Sequence, residues 1–309
     1  MNASAAAPEL VIEPFIPRVS WRRRTLRLIR REPLGVLGAL LIFLIVFGAL
    51  AAPMLHTRDP QAFSQDLLQG PSSEHLFGTT RQGKDVWSRV LYGGRISLKI
   101  GVATVAVGLV AATLLALLAG FVGGIVDFVV GRVTDVMLAF PSILFALTLK
   151  TAIGDDLPDL PGLSREELVL IIAISVLFLP STFRIMRGSV LEQRQSAYVE
   201  AARVLGAGEW RIMLRHILPN LTGLLIVLST TALPAAILTE SSLSFLGVGV
   251  PVGTPSWGAD LNGTSRTFFV RAPWIAIFPG LALSITVFAF NMLGDSLRDT
   301  LDPRLRGRI

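Results

Sequence analysis

The stretch from Gly78 to Asp85, GTTRQGKD, matches the phosphate-cradling pattern G-x-x-x-x-G-K-[ST] at every position except the last. Such a loop needs a strand before it, a helix after it and a hydroxyl that ligates magnesium. Asp85 would instead set a carboxylate against the phosphates, and the preceding PSSEHLF does not read as a buried strand. No nucleotide is expected here. Other chemistries fall away on residue type. The absence of cysteine excludes disulfides, zinc thiolates, iron–sulfur clusters and cysteine nucleophiles. His56, His75 and His216 lie too far apart to suggest a metal site. Paired intramembrane aspartates, an H-E-x-x-H helix and a serine–histidine arrangement are also missing, so the chain is not expected to be an enzyme. What remains is a small set of charges in or beside apolar segments, chiefly Lys99, Arg132, Asp135 and Glu240.

The elements that would position them are membrane spans. Of 309 residues, 52% are apolar and only 16% charged, against about a quarter charged in soluble domains. The apolar residues fall in blocks long enough to cross a bilayer, for which ~20 residues suffice. Six spans are predicted, at about 34–55, 96–123, 125–150, 168–183, 221–246 and 274–294. Gly123-Gly124 reads as a tight turn between the second and third. Small residues along IGVATVAVGLVAATLLALLAGFVGG suit close helix packing in lipid. Pro141, Pro180, Pro234 and Pro279 punctuate the last four spans, and prolines in spans serve either packing or bending.

Arginine placement sets the expected orientation. With the N-terminus inside, the inside segments hold 18 basic residues: Arg18, Arg22, Arg23, Arg24, Arg27, Arg30, Arg31, Arg132, six arginines between Arg184 and Arg215, and Arg298, Arg304, Arg306 and Arg308. The outside segments hold nine, and Lys99 lies within a span. Both termini are therefore expected in the cytoplasm, and the GTTRQGKD loop outside. The net charge of +6 follows this flanking pattern, so nucleic acid is not an expected partner. A cleavable leader ending near ALAAP at 49–53 is the rival reading of the first span. The basic region before it is too long for one, and the apolar run exceeds a signal core. Residues 56–94 read as a solvated cap on the bundle.

Glu240 stands about 19 residues into the fifth span, or roughly 28 Å along it at 1.5 Å per residue, hence near the outer surface. Lys99 enters the second span from that side. The two could pair, or Glu240 could meet a substrate ammonium in a channel; both are taken as candidate channel or gate residues. Arg132 and Asp135, three apart, are expected to pair locally.

The inside loop from Ser181 to Asn220, STFRIMRGSVLEQRQSAYVEAARVLGAGEWRIMLRHILPN, is long and unbiased enough to imply a folded element. Tyr198, Ala201, Ala202 and Leu205 make one apolar helical face, and Glu200 and Arg203 stand off it at i, i+3. Gly206 and Gly208 should end this helix through a left-handed cap. A second helix carries Trp210, Met213, Leu214 and Ile217 as a stripe, with Arg211 and Arg215 opposite, and Pro219 closes it. Periodicity leaves two readings, a basic amphipathic pair lying on lipid or a docking module for a cytoplasmic protein.

EAARVLG followed by LP at 218–219 resembles the EAA signature of ABC-importer permeases, E-A-A-x3-G-x9-I-x-L-P, with Glu200, Ala201, Ala202, Gly206, Leu218 and Pro219 at matching positions. His216 stands where that pattern has isoleucine, and RHILPN resembles the peptide-importer branch. FGTTRQGKDVWSRVLYGGRISL, DVMLAFPSILFAL, LTESSLSFLGVGV, PSWG, APWIAIFPG and NMLGDSLRDTLDPRLRGR resemble further blocks of that branch, in order along the chain. The whole is similar to the shorter of the two paired permeases of dipeptide and oligopeptide importers.

That resemblance implies an all-α membrane protein of six transmembrane helices with the type I ABC importer permease fold. Its parts would be a cytoplasmic tail (1–33), a first span with an outer loop (34–93), a five-helix core (94–296) containing the EAA loop (184–220), and a cytoplasmic tail (297–309). It implies a permease subunit of an ATP-driven peptide importer, placed in the bacterial inner membrane. The implied partners are a homologous second permease, two cytoplasmic ATPases and an extracytoplasmic solute-binding protein. ATP and magnesium would bind the ATPases and no cofactor this chain. Glu200, Ala201, Ala202, Arg203, Gly206, Leu218 and Pro219 would couple the ATPase stroke to the spans. Relatives carry dipeptides, longer peptides, nickel complexes, glutathione or haem. An ion-coupled secondary transporter is the alternative.

Overall fold

The computed structural model describes residues 32–153, 157–262, 268 and 270–301. The tail arginines Arg18 to Arg31 and Arg304, Arg306 and Arg308 lie outside the described residues. The described residues are mostly helical. Its elements are α1 (Pro33–Leu50), α2 (Ala52–Leu55), α3 (Val86–Val122), α4 (Gly124–Leu138), α5 (Ser142–Ile153), α6 (Arg165–Arg194), α7 (Ala197–Val204), α8 (Glu209–Ile212), a π turn (Met213–Ile217), α9 (Leu218–Asn220), α10 (Thr222–Phe245), α11 (Trp257–Asp260) and α12 (Trp274–Leu301). Five of these helices are long and apolar enough to cross a membrane, and α4 with α5 passes the same test as a bent pair, which makes six if the pair is counted as one span.

The central helix is α3. Its 37 residues run roughly 55 Å at 1.5 Å per residue, against a hydrocarbon core of about 30 Å, so it projects beyond the bilayer. It begins ten residues before the predicted span because Asp85 caps it, the carboxylate accepting from the Ser88 amide. α6 lies along α3 over much of its length, and α10 packs on its first half. Small residues make this approach possible. A Cβ on Gly120 would come within 2.8 Å of Val190 Cγ1 on α6.

Gly123 and Gly124, both at positive φ, turn the chain into α4 as expected. Only Thr134 of α4 is buried. Of the four prolines, Pro180, Pro234 and Pro279 sit inside continuous helices. Pro141 alone breaks its span, α4 and α5 meeting at 106°. A proline without neighbours to satisfy the freed carbonyls ends a helix, and α4 has few neighbours.

Four buried clusters run through the bundle. The largest lies at the C-terminal end of α3, where Phe121, Val190, Val199, Ala202, Ile212, Met213 and Ile217 join side chains of α3 and α6. The connection between α6 and α10 is thus part of the folded core. At the opposite end, residues 56–85 form a compact cap. His75 is buried, its ring nitrogens 3.2 Å from Asp85 Oδ1 and 3.4 Å from Asp66 Oδ2. Phe77 stacks on Phe278 of α12 at 3.8 Å between centroids.

Candidate functional site

The knuckle between α6 and α10 is built from two short helices set by one glycine. α7 ends in a Schellman motif: the Gly206 amide donates to Arg203 O and the Ala207 amide to Ala202 O. Gly206 takes φ +79°, which glycine reaches without the usual Cβ penalty. This is the left-handed cap that the spacing predicts. Gly208 then stands at the N-cap of α8.

The apolar periodicity divides differently from the single face expected. Val199 and Ala202 turn into the core, whereas Ala201 is exposed, Val204 is 82% exposed and Leu205 86%. Ala202 therefore packs inward against the cluster around Phe121, and Ala201 is the small residue left on the outer face. The stripe of the second helix also splits. Met213 and Ile217 are buried, while Trp210 (65% exposed) and Leu214 face outward beside Arg211 and Arg215. Two inward stripes anchor the knuckle in the core and leave a second, apolar face outward.

Pro219 closes the second helix through a π turn rather than an α turn. Its missing amide and its ring disfavour an α-helical bond to Arg215, so the helix widens. The Leu218 amide reaches Met213 O, and Asn220 Nδ2 donates to His216 O at 2.8 Å. Leu218 is half-buried on the core cluster, and Pro219 is exposed.

Among the charges, Arg203 turns to Glu209 rather than to Glu200, its neighbour at i−3. Arg203 Nε lies 3.7 Å from Glu209 Oε1, and its guanidinium sits 5.9 Å from the Phe121 ring centroid. Glu200 is exposed and makes no ion pair among the described residues. Beneath the knuckle, Asp127 of α4 pairs with Arg187 of α6, and Asp135 with Arg184 at 2.7 Å. The local Arg132–Asp135 pair is therefore not formed, and Arg132 lies over the Phe128 ring instead. A helical i, i+3 spacing permits contact, but α6 brings a better-placed guanidinium to each aspartate.

Lys99 and Glu240 do not pair with each other. Lys99 Nζ is 2.7 Å from a Glu167 carboxylate oxygen. Glu167 is also the capping-box residue that accepts from the Ser164 amide at the start of α6. Glu240 is fully buried within the protein. It accepts from Ser244 Oγ at 2.8 Å and Ser241 Oγ at 3.2 Å, with Ser97 and Ser256 facing it. Sequence spacing could not find these hydroxyls, because Ser97 and Ser256 come from distant elements.

The near phosphate loop is closed on itself. The Gly78, Thr79, Thr80 and Gly83 amides donate to His75 O, Gln69 O, Lys84 O and Thr80 O, and the Lys84 amide to Thr80 Oγ1. These amides point into the protein, where a phosphate loop aims them at its ligand. The Asp85 carboxyl is buried, which alone would push it up. Hydrogen bonds from the Ser88 hydroxyl and amide, His75 and Thr57 outweigh this and hold it below the usual carboxylate range.

Comparison with known proteins agrees with this architecture. Residues 112–307 match the model of the family described as binding-protein-dependent transport system inner membrane component, and residues 20–71 match the N-terminal TM domain of oligopeptide transport permease C. The chain is 38% identical to the glutathione transport system permease protein GsiD of Pectobacterium atrosepticum, covering 96% of this chain and 95% of the relative. It is 35% identical to the dipeptide transport system permease protein DppC of Alkalihalophilus pseudofirmus, covering 99% and 100%. A glutathione transport system permease protein GsiD of Escherichia coli is 38% identical over 96% of the chain and 95% of the relative. With its apolar spans, its buried-and-exposed knuckle and these full-length matches, the chain belongs to the family of binding-protein-dependent transport system inner membrane components, and is a multi-pass inner-membrane permease.

Proposed function

We propose that the chain is the permease subunit of an ATP-driven importer for peptides and forms half of the translocation channel. It pairs with a homologous six-span subunit and two cytoplasmic ATPases, and receives solute from an extracytoplasmic binding protein. Both termini and the knuckle face the cytoplasm, and the cap faces outward. ATP and magnesium act on the ATPases, and this chain makes and breaks no covalent bond. The solute is a short peptide, which the names of relatives specific for dipeptide and glutathione support.

One observation carries the coupling role: the knuckle is anchored by buried Val199, Ala202, Met213 and Ile217 while Ala201, Val204, Leu205 and Trp210 stay outward. A rigid element with a waiting apolar face suits mechanical contact. Glu200 supplies a polar anchor, Arg203 braces the two helices, Gly206 sets the corner, and Leu218 with Pro219 joins it to α10. Closure of the ATPase pair would move this corner and tilt α6 and α10 together.

The test is reconstitution in liposomes with the partner subunits and the binding protein. Uptake of labelled dipeptide or glutathione should require ATP inside and the ATPases. Flux through the lone chain under a proton or sodium gradient would refute the reading in favour of an ion-coupled carrier.

A further inference from the structure

Between the cap and the turn that follows α10 lies an open cavity of about 480 Å³. That is within the ~300–1,000 Å³ of small-molecule sites. Its walls include Phe63, Lys84, Arg89, Ser244, Thr254 and Asp260. Two of the charged groups pair with each other. Arg89 pairs with Asp260 and also donates to the carbonyls of Pro60 and Gly253.

Lys84 is different. The residue is only 7% exposed, yet its ammonium donates to no acceptor among the described residues. It lies over the Phe63 ring, with the centroid 4.7 Å from Nζ. Its three N–H donors, set against an aromatic face, have no acceptor on the protein among the described residues and open to the cavity, so whatever occupies the cavity must accept them. Burial and the neighbouring Arg89 push its pKa down, and Asp260 pulls the other way. Besides the Arg89–Asp260 pair, two cations line the cavity: Lys84, and the exposed Arg81, which lies over the Phe268 ring. Phe63, Val250, Pro251 and Ile275 add apolar wall for the body of a ligand.

We propose that this cavity binds a small solute bearing one carboxylate, which accepts hydrogen bonds from Lys84 Nζ while its body lies against Phe63. A carboxylate carried on an apolar body fits an ammonium set against an aromatic ring better than inorganic phosphate, which has no body to lie on Phe63. Naming the occupant as a peptide entering from outside rests on the importer reading; the binding itself does not. Ser244, on the cavity wall, hydrogen-bonds Glu240, so an occupied site lies one hydroxyl from the buried acid.

The test uses the purified complex with its ATPases and without the binding protein. Saturation-transfer NMR titrates N-acetylglycine, its neutral amide and inorganic phosphate against wild type, Lys84→Met and Lys84→Arg. N-acetylglycine should bind wild type at least tenfold more tightly than the amide or phosphate does. Lys84→Met, which keeps the stem over Phe63, should abolish that preference, and Lys84→Arg should restore part of it. A melting temperature within a few degrees of wild type shows that Lys84→Met is folded, and binding by Lys84→Arg serves if it is not. Equal binding of acid and amide, tighter binding of phosphate, or a Lys84→Met variant as tight as wild type would overturn the proposal. So would protection of Lys84 from amine-reactive labelling only by the binding protein, which would make the site a protein contact. Lost uptake with intact NMR binding would count against the importer reading alone, and intact uptake without NMR binding against this site alone.

Discussion

Leu205→Ala separates the outward face of the knuckle from its inward one. Leu205 is 86% exposed in the chain, so truncation should alter the permease's own stability by no more than about 0.5 kcal/mol. If an ATPase covers the side chain, the variant loses three methylene-equivalents of burial at about 0.8 kcal/mol each, or roughly 2.4 kcal/mol. At about 1.4 kcal/mol per decade that is a fifty-fold weaker complex. The assay titrates purified ATPase subunits against the permease pair in nanodiscs, with melting temperature measured on the same samples. Met213→Ala is the contrast, because Met213 is buried and its truncation should cost the fold ~2–5 kcal/mol. The reasoning is refuted if Leu205→Ala binds ATPase within twofold of wild type, or if it lowers the melting temperature as Met213→Ala does.

Gly206→Val should leave insertion intact and uncouple ATP hydrolysis from uptake, because no atom lies within 4 Å of a Cβ there but φ is +79°, a backbone strain of about 1–2 kcal/mol; Glu200→Arg should do the same by reversing an anchor, and normal uptake by both would count against docking. Gly120→Val should lower the melting temperature of the purified protein, since even a Cβ meets Val190 at 2.8 Å and overpacking costs ~1–3 kcal/mol. Hydrogen bonds from Ser88, His75 and Thr57 hold the folded Asp85 carboxyl below the usual carboxylate range, so its ionised form favours the folded state: that stabilisation is present well above the ordinary carboxylate pKa and disappears as the pH falls through the folded value. Proteolytic resistance of the cap should accordingly decline on acidification in wild type, and Asp85→Asn, which loses it at every pH, should show a flatter acid profile.

Spans, the Gly123-Gly124 turn and the Gly206 cap were legible because each depends on local chemistry: apolar run length, left-handed backbone, missing side chains. Proline was only half legible. Pro141 and Pro180 look alike in sequence, yet the dense α3–α6 packing keeps Pro180 in a continuous helix while the sparsely packed α4 breaks at Pro141. Charge pairing was least legible. Lys99 finds Glu167, 68 residues away, and Arg184 finds Asp135, 49 away, partners that no i, i+3 spacing can reveal. The division of EAARVL into an inward Ala202 and an outward Ala201 also needed tertiary context, since both fit one broad apolar face. Lys84 was visible as a residue and misleading as a motif; only burial shows it as a cation lining a cavity.

The chain has no cysteine, which makes the most direct test of the coupling claim a clean one. Single cysteines at Ala201 and Ala202 would be cross-linked, in membranes holding the assembled complex, to single cysteines placed across the surface of the ATPase. Ala201→Cys is expected to form an ATPase adduct whose yield changes with ATP, and Ala202→Cys, turned into the core, to form none. Failure of Ala201→Cys to reach the ATPase from any tested position, with labelling only by lipid-soluble or aqueous reagents, would contradict the account.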